Sequence, residues 1–315
     1  MGVAFLYPGQ GSQAIGMGQA LAEAFPAARA VFDEVNEALG QDLTAIMWSG
    51  DKATLTLTEN AQPALMAVSV AATRVLEAET GRKIGDLAGH VAGHSLGEYS
   101  ALAAAGALSL TDTARLLRKR GEAMQSAVPV GEGAMMALLG GGIDVATEIA
   151  AEAAGDDVLE VANDNEPTQV VLSGHKRAAD RVPDIAKAKG VRRALPLPVS
   201  APFHCSLMQP AADVMAEALA NTLISEPASA VVCNVTAEPT RDPDAIQKNL
   251  VTQVTGTVRW RSCVLAMQEA GVDLYVELGA GKVLSGLIKR THADADTLNL
   301  GAPDDIAAVV AALTA

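Results

Sequence analysis

Short apolar runs alternate with segments of helical periodicity over most of the chain. Val3 to Tyr7 and Leu87 to Ala92 are apolar runs bounded by turn-forming residues, and each predicts a buried strand. Further strands are predicted at 230–235 and 274–278, and helices at 16–24, 26–39, 60–79, from Ser109, up to about Asn221, from Arg259 and after Gly281. Strands that alternate with helices are typical of an α/β fold with a mostly parallel sheet.

The middle of the chain follows a different order. Glycine clusters at 131–133 and 140–142 bracket a strand predicted at 134–139. The segment continues with a helix at 144–154, strands at 158–163 and 169–173, a helix at 175–189 and a strand at 191–197. This βαββαβ order is the ferredoxin-like arrangement. We therefore predict an inserted ferredoxin-like small domain at 128–200, within a discontinuous large α/β catalytic domain formed by 1–127 and 201–315.

One predicted strand runs directly into a glycine-flanked serine, in the pentapeptide Gly93-His94-Ser95-Leu96-Gly97. The Ala/Leu-rich segment that follows it predicts a helix to about residue 105. Strand, G-x-S-x-G and helix together form the context of a nucleophile elbow, in which the glycines leave room for a sharp turn. The partial positive charge at the helix N-terminus favours a developing oxyanion. We therefore predict that Ser95 is a nucleophile on a hydrolase-like large domain; the alternative is an ordinary turn whose serine caps the helix.

A serine nucleophile needs a base within hydrogen-bond reach, and the chain has five histidines. His204 follows Pro196 and Pro198 at the predicted junction of the two domains, where a cleft is expected. His94 is expected beside the serine but pointing away from it, and His90 on the preceding strand. His175 is expected at the start of a helix and His292 in a polar loop. His204 is therefore the predicted base.

Composition excludes several other classes of function. The formal net charge of −14 opposes binding to nucleic acid or to an anionic membrane, and aromatic residues make up only 3% of the chain, too few for base-stacking platforms. The apolar stretches fall short of a membrane span. Three cysteines show no metal-binding spacing, which predicts a reduced, cytoplasmic protein without a metal site (Cys205, Cys233 and Cys263).

Two glycine-rich segments resemble nucleotide-binding motifs. The hexapeptide Gly9-Gln10-Gly11-Ser12-Gln13-Ala14 matches the dinucleotide fingerprint G-x-G-x-x-A, with Asp33 about twenty residues on. The bulk of the two glutamines opposes this interpretation, as does the helix predicted around Asp33. Gly279-Ala280-Gly281-Lys282 lacks the spacing and the hydroxyl residue of a phosphate loop. We therefore predict no bound cofactor.

Five short motifs stand out along the whole sequence. They are Pro8-Gly9-Gln10-Gly11-Ser12-Gln13, Gly93-His94-Ser95-Leu96-Gly97-Glu98, Arg120-Gly121 followed by Met124-Gln125, Ala201-Pro202-Phe203-His204, and Glu277-Leu278-Gly279-x-Gly281-Lys282-Val283-Leu284. In this order and at this spacing they recur in malonyl-CoA:acyl-carrier-protein transacylases, and the chain resembles that family over essentially its whole length. The resemblance implies transfer of malonyl from coenzyme A to a serine, and then to the phosphopantetheine thiol of an acyl carrier protein.

The resemblance also implies roles for individual residues. Ser95 is then the nucleophile, and His204 is the general base and acid, with the main-chain carbonyl of Gln253 as its partner. Gln10 and Leu96 are the implied backbone N–H donors of an oxyanion hole. Arg120 and Phe203 are the implied groups that bind the malonyl unit. A monomer without metal or cofactor is expected.

Two other functions stay open at this point. An α/β-fold serine hydrolase shares the elbow but needs an activated water and no carboxylate anchor. A non-catalytic scaffold for carrier proteins is the other alternative, and the presence of Ser95, His204 and Arg120 together disfavours it. The chain also departs from the family pattern at Gly256-Thr257-Val258, where Asn-Pro-Val is common.

A carrier protein of acidic character would be repelled by the net charge of this chain, so docking requires a local basic patch. The first candidate is a cluster on the predicted small domain, formed by Lys187, Lys189, Arg192 and Arg193. The second is the pair Arg118 and Lys119, on the helix that carries Arg120.

Overall fold

The structure, a computed structural model, describes residues 2–199 and 201–314, which contain two sheets. The strands are β1 (Gly2–Tyr7), β2 (His90–Gly93), β3 (Gly133–Leu139), β4 (Leu159–Glu166), β5 (Gln169–His175), β6 (Arg193–Pro196), β7 (Ala230–Val232), β8 (Pro239–Thr240), β9 (Val272–Leu278) and β10 (Asp296–Leu300). The helices are α1 (Gln19–Ala24), α2 (Pro26–Leu39), α3 (Leu43–Trp48), α4 (Lys52–Thr56), α5 (Thr58–Thr80), α6 (Ile84–Leu87), α7 (Leu96–Ala104), α8 (Leu110–Ser126), α9 (Ile143–Ala154), α10 (Lys176–Ala179), α11 (Val182–Ala188), α12 (Gln209–Ala220), α13 (Pro243–Thr255), α14 (Trp260–Glu269), α15 (Val283–Thr291) and α16 (Ile306–Thr314). Ser200, the predicted last residue of the small domain, lies outside the described residues.

The larger sheet has the strand order β10-β9-β1-β2-β7-β8, and each neighbouring pair is parallel except β7 with β8. β1 lies inside the sheet, and its residues 4–7 are fully buried. Phe5 and Tyr7 pack on one face with α5 and α8, whereas Ala4 and Leu6 pack on the other face with α14 and α15. Because both faces are covered, the strand is apolar at every position rather than alternating.

The smaller sheet is antiparallel and has the order β4-β5-β3-β6. Met136 and Leu138 of β3 pack against α9, α10 and α11 on one face, while Met135 and Ala137 pack towards the larger core. Alternation along β3 therefore serves two hydrophobic cores. This is the ferredoxin-like arrangement. The predicted fold class, a hydrolase-like α/β domain with a mostly parallel sheet and an inserted ferredoxin-like unit, is confirmed.

β4 joins the smaller sheet to the rest of the molecule. The N–H of Val258 donates to the carbonyl of Ala162 at 2.8 Å, and the N–H of Asp164 donates to the carbonyl of Val258 at 3.0 Å. Asp164 also forms an ion pair with Arg261 of α14, with 3.0 Å between Oδ2 and Nη2. These main-chain and side-chain bonds fix the position of the small sheet beside the end of β2.

α5 is the longest helix in the described part of the chain, with 23 residues. It packs against α2, α7 and α8 and so supports the region that follows β2. None of the helices formed by residues 2–199 and 201–314 combines the length and apolarity needed to cross a membrane.

Several predicted elements have different bounds in the structure. The strand predicted at 87–92 begins only at His90, because Leu87 is the last residue of the helical turn α6 and two residues separate it from the strand. The helix predicted at 16–24 begins at Gln19, because Gly16 and Gly18 have φ values of 88° and 76°. The single helix predicted at 175–189 is wrong. It is divided into α10 and α11, and Pro183 lies in the first turn of α11.

Candidate active site

Ser95 lies between the end of β2 and the start of α7, with φ 55° and ψ −110°. A non-glycine residue in this region carries backbone strain, which is typical of a nucleophile elbow. A Cβ on Gly93 would overlap the main chain of Gly97, and a Cβ on Gly97 would overlap the carbonyl oxygen of Tyr7. The elbow therefore needs both glycines, because the backbone of the turn is in close contact with its own second glycine and with the end of β1.

The structure brings His204 to the serine. Oγ of Ser95 lies 2.7 Å from Nε2 of His204, and Nδ1 of His204 donates to the main-chain carbonyl of Gln253 at 2.9 Å. The Nδ1 bond leaves Nε2 as the acceptor in the neutral ring. Burial, followed by the positive charge of Arg120, lowers the pKa of His204 to about 3. At neutral pH the ring is therefore uncharged and ready to accept a proton from the serine.

Arg120 is buried next to this pair, with only 1% of its surface exposed. Its Nη1 donates to Oε1 of Gln62 at 2.7 Å, and its Nη2 donates to Oε1 of Gln253 at 2.9 Å and to Oγ of Ser95 at 3.1 Å. Burial lowers the pKa of Arg120, yet a guanidinium stays protonated at neutral pH. No carboxylate among the described residues forms an ion pair with it, although the buried carboxyl group of Glu98 acts on it electrostatically.

The position of Arg120 depends on close packing between two helices. It lies on α8, and a Cβ on the next residue, Gly121, would meet the main chain of Glu59 in α5. The absence of that Cβ lets α8 approach α5, which carries Gln62. The guanidinium also lies over the ring of Tyr99, 5.7 Å from its centre, where a cation–π contact holds it from the other side.

A cavity of about 510 Å³ opens over Ser95. All the side chains predicted for catalysis and malonyl binding line it, together with Gln10 and Leu96 (Ser95, His204, Arg120 and Phe203). Its cationic side chains are Arg120 and Lys52, and none of the described residues that line it is acidic. The size suits a small-molecule ligand, and the charge suits an anionic one.

The two predicted oxyanion-hole residues both line the cavity and come from different elements. Leu96 is the first residue of α7, where a helical N–H has no partner in its own helix and the helix dipole is positive. Gln10 follows β1, and its side chain is held by Thr58, whose hydroxyl donates to Oε1 of Gln10 at 3.0 Å. Their roles as N–H donors stay a prediction.

Three polar residues of the site were missed in the sequence: Gln62, Asn234 and the side chain of Gln253. Asn234 accepts from the N–H of Ser95 at 2.8 Å. Its place just after β7 was a usable signal, because side chains at the carboxyl ends of parallel strands meet at one edge of the sheet. Gln62 and Gln253 lie in helices and carried no comparable signal.

The remaining candidates take no part in the contact between Ser95 and His204. His94 bonds through Nε2 to Asn165 of β4 at 2.8 Å rather than to the serine. Asp33 lies within α2 and not at a strand end, which excludes it as the ribose-binding carboxylate of a dinucleotide site. In the part of the chain that the structure describes, no group of three or more His, Cys, Asp or Glu residues could hold a metal ion.

Known proteins give an independent line of evidence. Residues 4–307 match the family described as acyl transferase domain. The malonyl CoA-acyl carrier protein transacylase of Escherichia coli K12 is 44% identical over 310 residues, which cover 98% of both chains, and that of Bacillus subtilis is 42% identical over 305 residues, covering 96% of this chain and 95% of the relative.

Solved structures agree. An acyl-carrier-protein-S-malonyltransferase from Bartonella henselae is similar with a TM-score of 0.97 and 50% identity over 100% of both chains. A malonyl-transacylase in complex with a type II PKS acyl-carrier protein is similar with a TM-score of 0.95 and 39% identity, covering 99% of this chain and 100% of that one.

Proposed function

This chain belongs to the acyl transferase domain family, and from that premise we propose that it transfers the malonyl group of malonyl-CoA to the phosphopantetheine thiol of acyl carrier protein. The transfer passes through a malonyl-serine at Ser95 and supplies fatty acid synthesis. The observation that carries the proposal is the buried guanidinium of Arg120, which lies within hydrogen-bond distance of Ser95 and forms no ion pair with a carboxylate of the described residues.

In the first half-reaction, Oγ of Ser95 attacks the thioester carbon of malonyl-CoA while Nε2 of His204 takes the hydroxyl proton. The carbonyl oxygen gains negative charge, which the N–H groups of Gln10 and Leu96 stabilise. When the tetrahedral intermediate collapses, the C–S bond breaks and the leaving thiolate takes the proton from His204. Coenzyme A departs as a thiol, and malonyl remains as an ester of Ser95.

The second half-reaction reverses these steps with a different thiol. The phosphopantetheine thiol of the carrier protein gives its proton to His204 and attacks the ester carbon. Collapse breaks the bond to Oγ, and His204 returns the proton to Ser95. One base and one oxyanion hole serve both directions, which suits an exchange of one thioester for another.

Arg120 provides the selectivity for malonyl in this proposal. Its planar guanidinium can bind a carboxylate through two parallel hydrogen bonds, a geometry that an ammonium group cannot copy. Gln62 and Gln253 hold it in place before substrate arrives. Phe203 forms an apolar wall of the cavity, which disfavours substrates that need more room.

Every group that these steps require comes from one chain, so a monomer that needs no metal or cofactor is sufficient. The cytoplasm is the proposed location, and the state of the cysteines supports it. Cys205, Cys233 and Cys263 are all free and buried, as expected in a reducing compartment.

Intact-mass spectrometry after incubation with malonyl-CoA tests the proposal. We expect the mass of one malonyl group on the native chain and none on Ser95→Ala. Addition of a carrier protein with its phosphopantetheine arm should move the group to that thiol with little free malonate. An adduct of equal yield on Ser95→Ala would exclude Ser95, and release of malonate in place of transfer would indicate a hydrolase.

A further inference from the structure

The main chain of Ser95 is held from behind by two side chains that the chemical steps above do not use. Its N–H donates to Oδ1 of Asn234 at 2.8 Å, and its carbonyl accepts from Nε2 of Gln253 at 3.0 Å. Both side chains are fully buried and come from different parts of the chain, the end of β7 and helix α13. The two peptide groups of the strained serine are therefore fixed by other elements.

These two residues converge on one buried carboxyl group, that of Glu98. Its Oε2 accepts from the main-chain N–H of Asn234 at 2.9 Å and from Nε2 of Gln253 at 2.8 Å. Glu98 lies in the first turn of α7 and is fully buried, behind the serine and not among the residues that line the cavity. Burial raises the pKa of Glu98, and the hydrogen bonds from Asn234 and Gln253 counteract that rise.

A second buried carboxyl group shows what an ordinary structural role looks like in this fold. Glu277 at the end of β9 is also fully buried, and it accepts from the main-chain N–H groups of Leu284 and Ser285 at 3.1 and 2.8 Å. It therefore caps helix α15. Glu98 instead bonds to the two residues that hold the serine, which a helix cap would not require.

We infer that Glu98 is a positioning residue that keeps Ser95 in its reactive backbone conformation by fixing Asn234 and Gln253. The inference rests on the proposed role of Ser95 as the nucleophile. A strained conformation persists only where its surroundings over-determine it. Without the acceptor at Glu98, Asn234 and Gln253 lose their common anchor, and Oγ of Ser95 shifts relative to His204.

The rate at which a neutral alkyl fluorophosphonate labels Ser95 measures this effect directly. Oγ displaces fluoride from phosphorus, and its proton passes to His204, so the probe needs neither coenzyme A nor Arg120. Glu98→Met has a similar length but no acceptor, and we expect it to lower the labelling rate about ten- to a hundredfold, as displacements near 1 Å do. Glu98→Gln keeps an oxygen at the position of Oε2 and should restore labelling close to the native rate.

Two further variants separate positioning from folding. Glu277→Met removes the matched carboxyl group, and its folded fraction, measured by circular dichroism, should be labelled at the native rate even where its melting temperature falls. Asn234→Ala removes the acceptor for the Ser95 N–H while leaving Glu98 in place. It should slow labelling as Glu98→Met does, because it breaks the link from Asn234 to the serine. A native rate in Asn234→Ala would overturn that link even if the methionine variant does not fold.

The outcomes also distinguish this inference from the proposed function. Native labelling rates in both Glu98→Met and Asn234→Ala would overturn the inference alone. An equally slow Glu98→Gln would overturn it as well, because the charge and not the acceptor would then matter. A native chain that the probe does not label at Ser95 would overturn the proposed function itself.

Discussion

Burial keeps the ring of His204 neutral, and the partner of its Nδ1 is a main-chain carbonyl rather than a carboxylate that would favour the charged form. Its pKa falls from the usual 6.5 to about 3, so between these values an unfolded chain binds a proton that the folded chain does not. Stability must therefore decline as the pH falls through this window, and the ring should stay neutral in the folded chain. We expect the Cε1 resonance of His204, followed by NMR, to keep its neutral-form shift from pH 7.5 down to about 5.

Replacing Arg120 by methionine should raise the midpoint of this titration, because the guanidinium is the second cause of the low value after burial. The missing resonance in His204→Ala assigns the signal. A native midpoint near 6.5 would contradict the burial argument.

Arg120→Ala should separate malonyl from uncharged acyl groups. Loss of a bidentate, charge-assisted contact costs about 3 kcal/mol, or roughly a hundredfold in kcat/KM for malonyl-CoA. Acetyl-CoA lacks the carboxylate and should lose far less. Arg115→Ala on the exposed face of α8 is the matched control and should change neither value. Equal losses for both substrates on Arg120→Ala would show that the residue is structural.

The reacting side chains could be predicted because each is marked by local sequence. Ser95 lies between two glycines that the turn requires, and His204 follows prolines at a change of pattern. Gln62, Glu98 and Asn234 act through bonds that join residues far apart in the chain, such as Arg120 to Gln62 or Ser95 to Asn234. The contacts themselves leave no periodicity or spacing in the sequence, so only the place of Asn234 after a strand could have indicated it. A buried carboxyl group such as Glu98 is identified only once its partners are known.

The elbow as an element should tolerate no side chain at Gly97. A Cβ there would overlap the carbonyl oxygen of Tyr7, at the end of a fully buried strand that cannot move away. We expect Gly97→Ala to lower the free energy of unfolding by about 1–3 kcal/mol and to abolish malonyl transfer. Gly89→Ala is the control, because a Cβ at that position meets nothing within 4 Å. Denaturant unfolding and transfer assays on both variants make the measurement, and an active Gly97→Ala would refute the packing argument.

Element types were more predictable than element bounds. β1 and the βαββαβ order follow from patterns that the packing preserves, since each buried face needs its apolar residues. The residues at which elements begin and end depend on local features that the patterns do not show, such as the helical turn α6 before β2 and the break between α10 and α11. The edge strand β10 is less buried than β1 and is polar at several positions, so no apolar run in the sequence predicted it.

The whole molecule combines a net charge of −14 with a cavity that no described acidic residue lines. The acidic surface repels anions at long range, whereas Lys52 and Arg120 attract them at the site. An acidic carrier protein needs a basic surface near the opening. In the cluster on the predicted small domain, Lys189 already forms ion pairs with Glu148 and Glu152. Its exposed cations are Lys187, Arg192 and Arg193, and Arg193 is the first residue of β6.

Charge reversal in Arg192→Glu/Arg193→Glu should raise KM for the carrier protein about tenfold and leave KM for malonyl-CoA nearly unchanged. β6 continues into Leu197 and Pro198, which line the cavity, and for this reason we expect the carrier protein to dock beside this strand. The measurement is a titration in each substrate at low and at high salt.

The control for net charge is Arg82→Glu/Lys83→Glu, another exposed pair, in which Lys83 forms an ion pair with Glu77. It follows the C-terminal end of α5, about 30 Å along the helix from Gln62. Equal effects in the two double variants would show that only net charge matters. An unchanged carrier KM for Arg192→Glu/Arg193→Glu would move the candidate surface to Arg118 and Lys119.

The division into domains at 127/128 and 200/201 stays a prediction. The two sheets have separate cores on one side, yet β4 is bonded to the segment before α14, and β3 contributes Met135 to the larger core. The second boundary falls at Ser200, outside the described residues.

The sheet order also determines when catalysis can begin. β1 lies between β2 and β9, although β9 starts only at Val272, and His204 depends on a carbonyl at Gln253. A ribosome releases the N-terminal part of a chain first, and strands so distant in sequence pair late. We therefore expect that a nascent chain which has exposed Ser95 does not yet react with malonyl-CoA. If Ser95 is the nucleophile, its acylation requires that the later residues have closed the sheet around β1, and it can then serve as a chemical marker of completed folding.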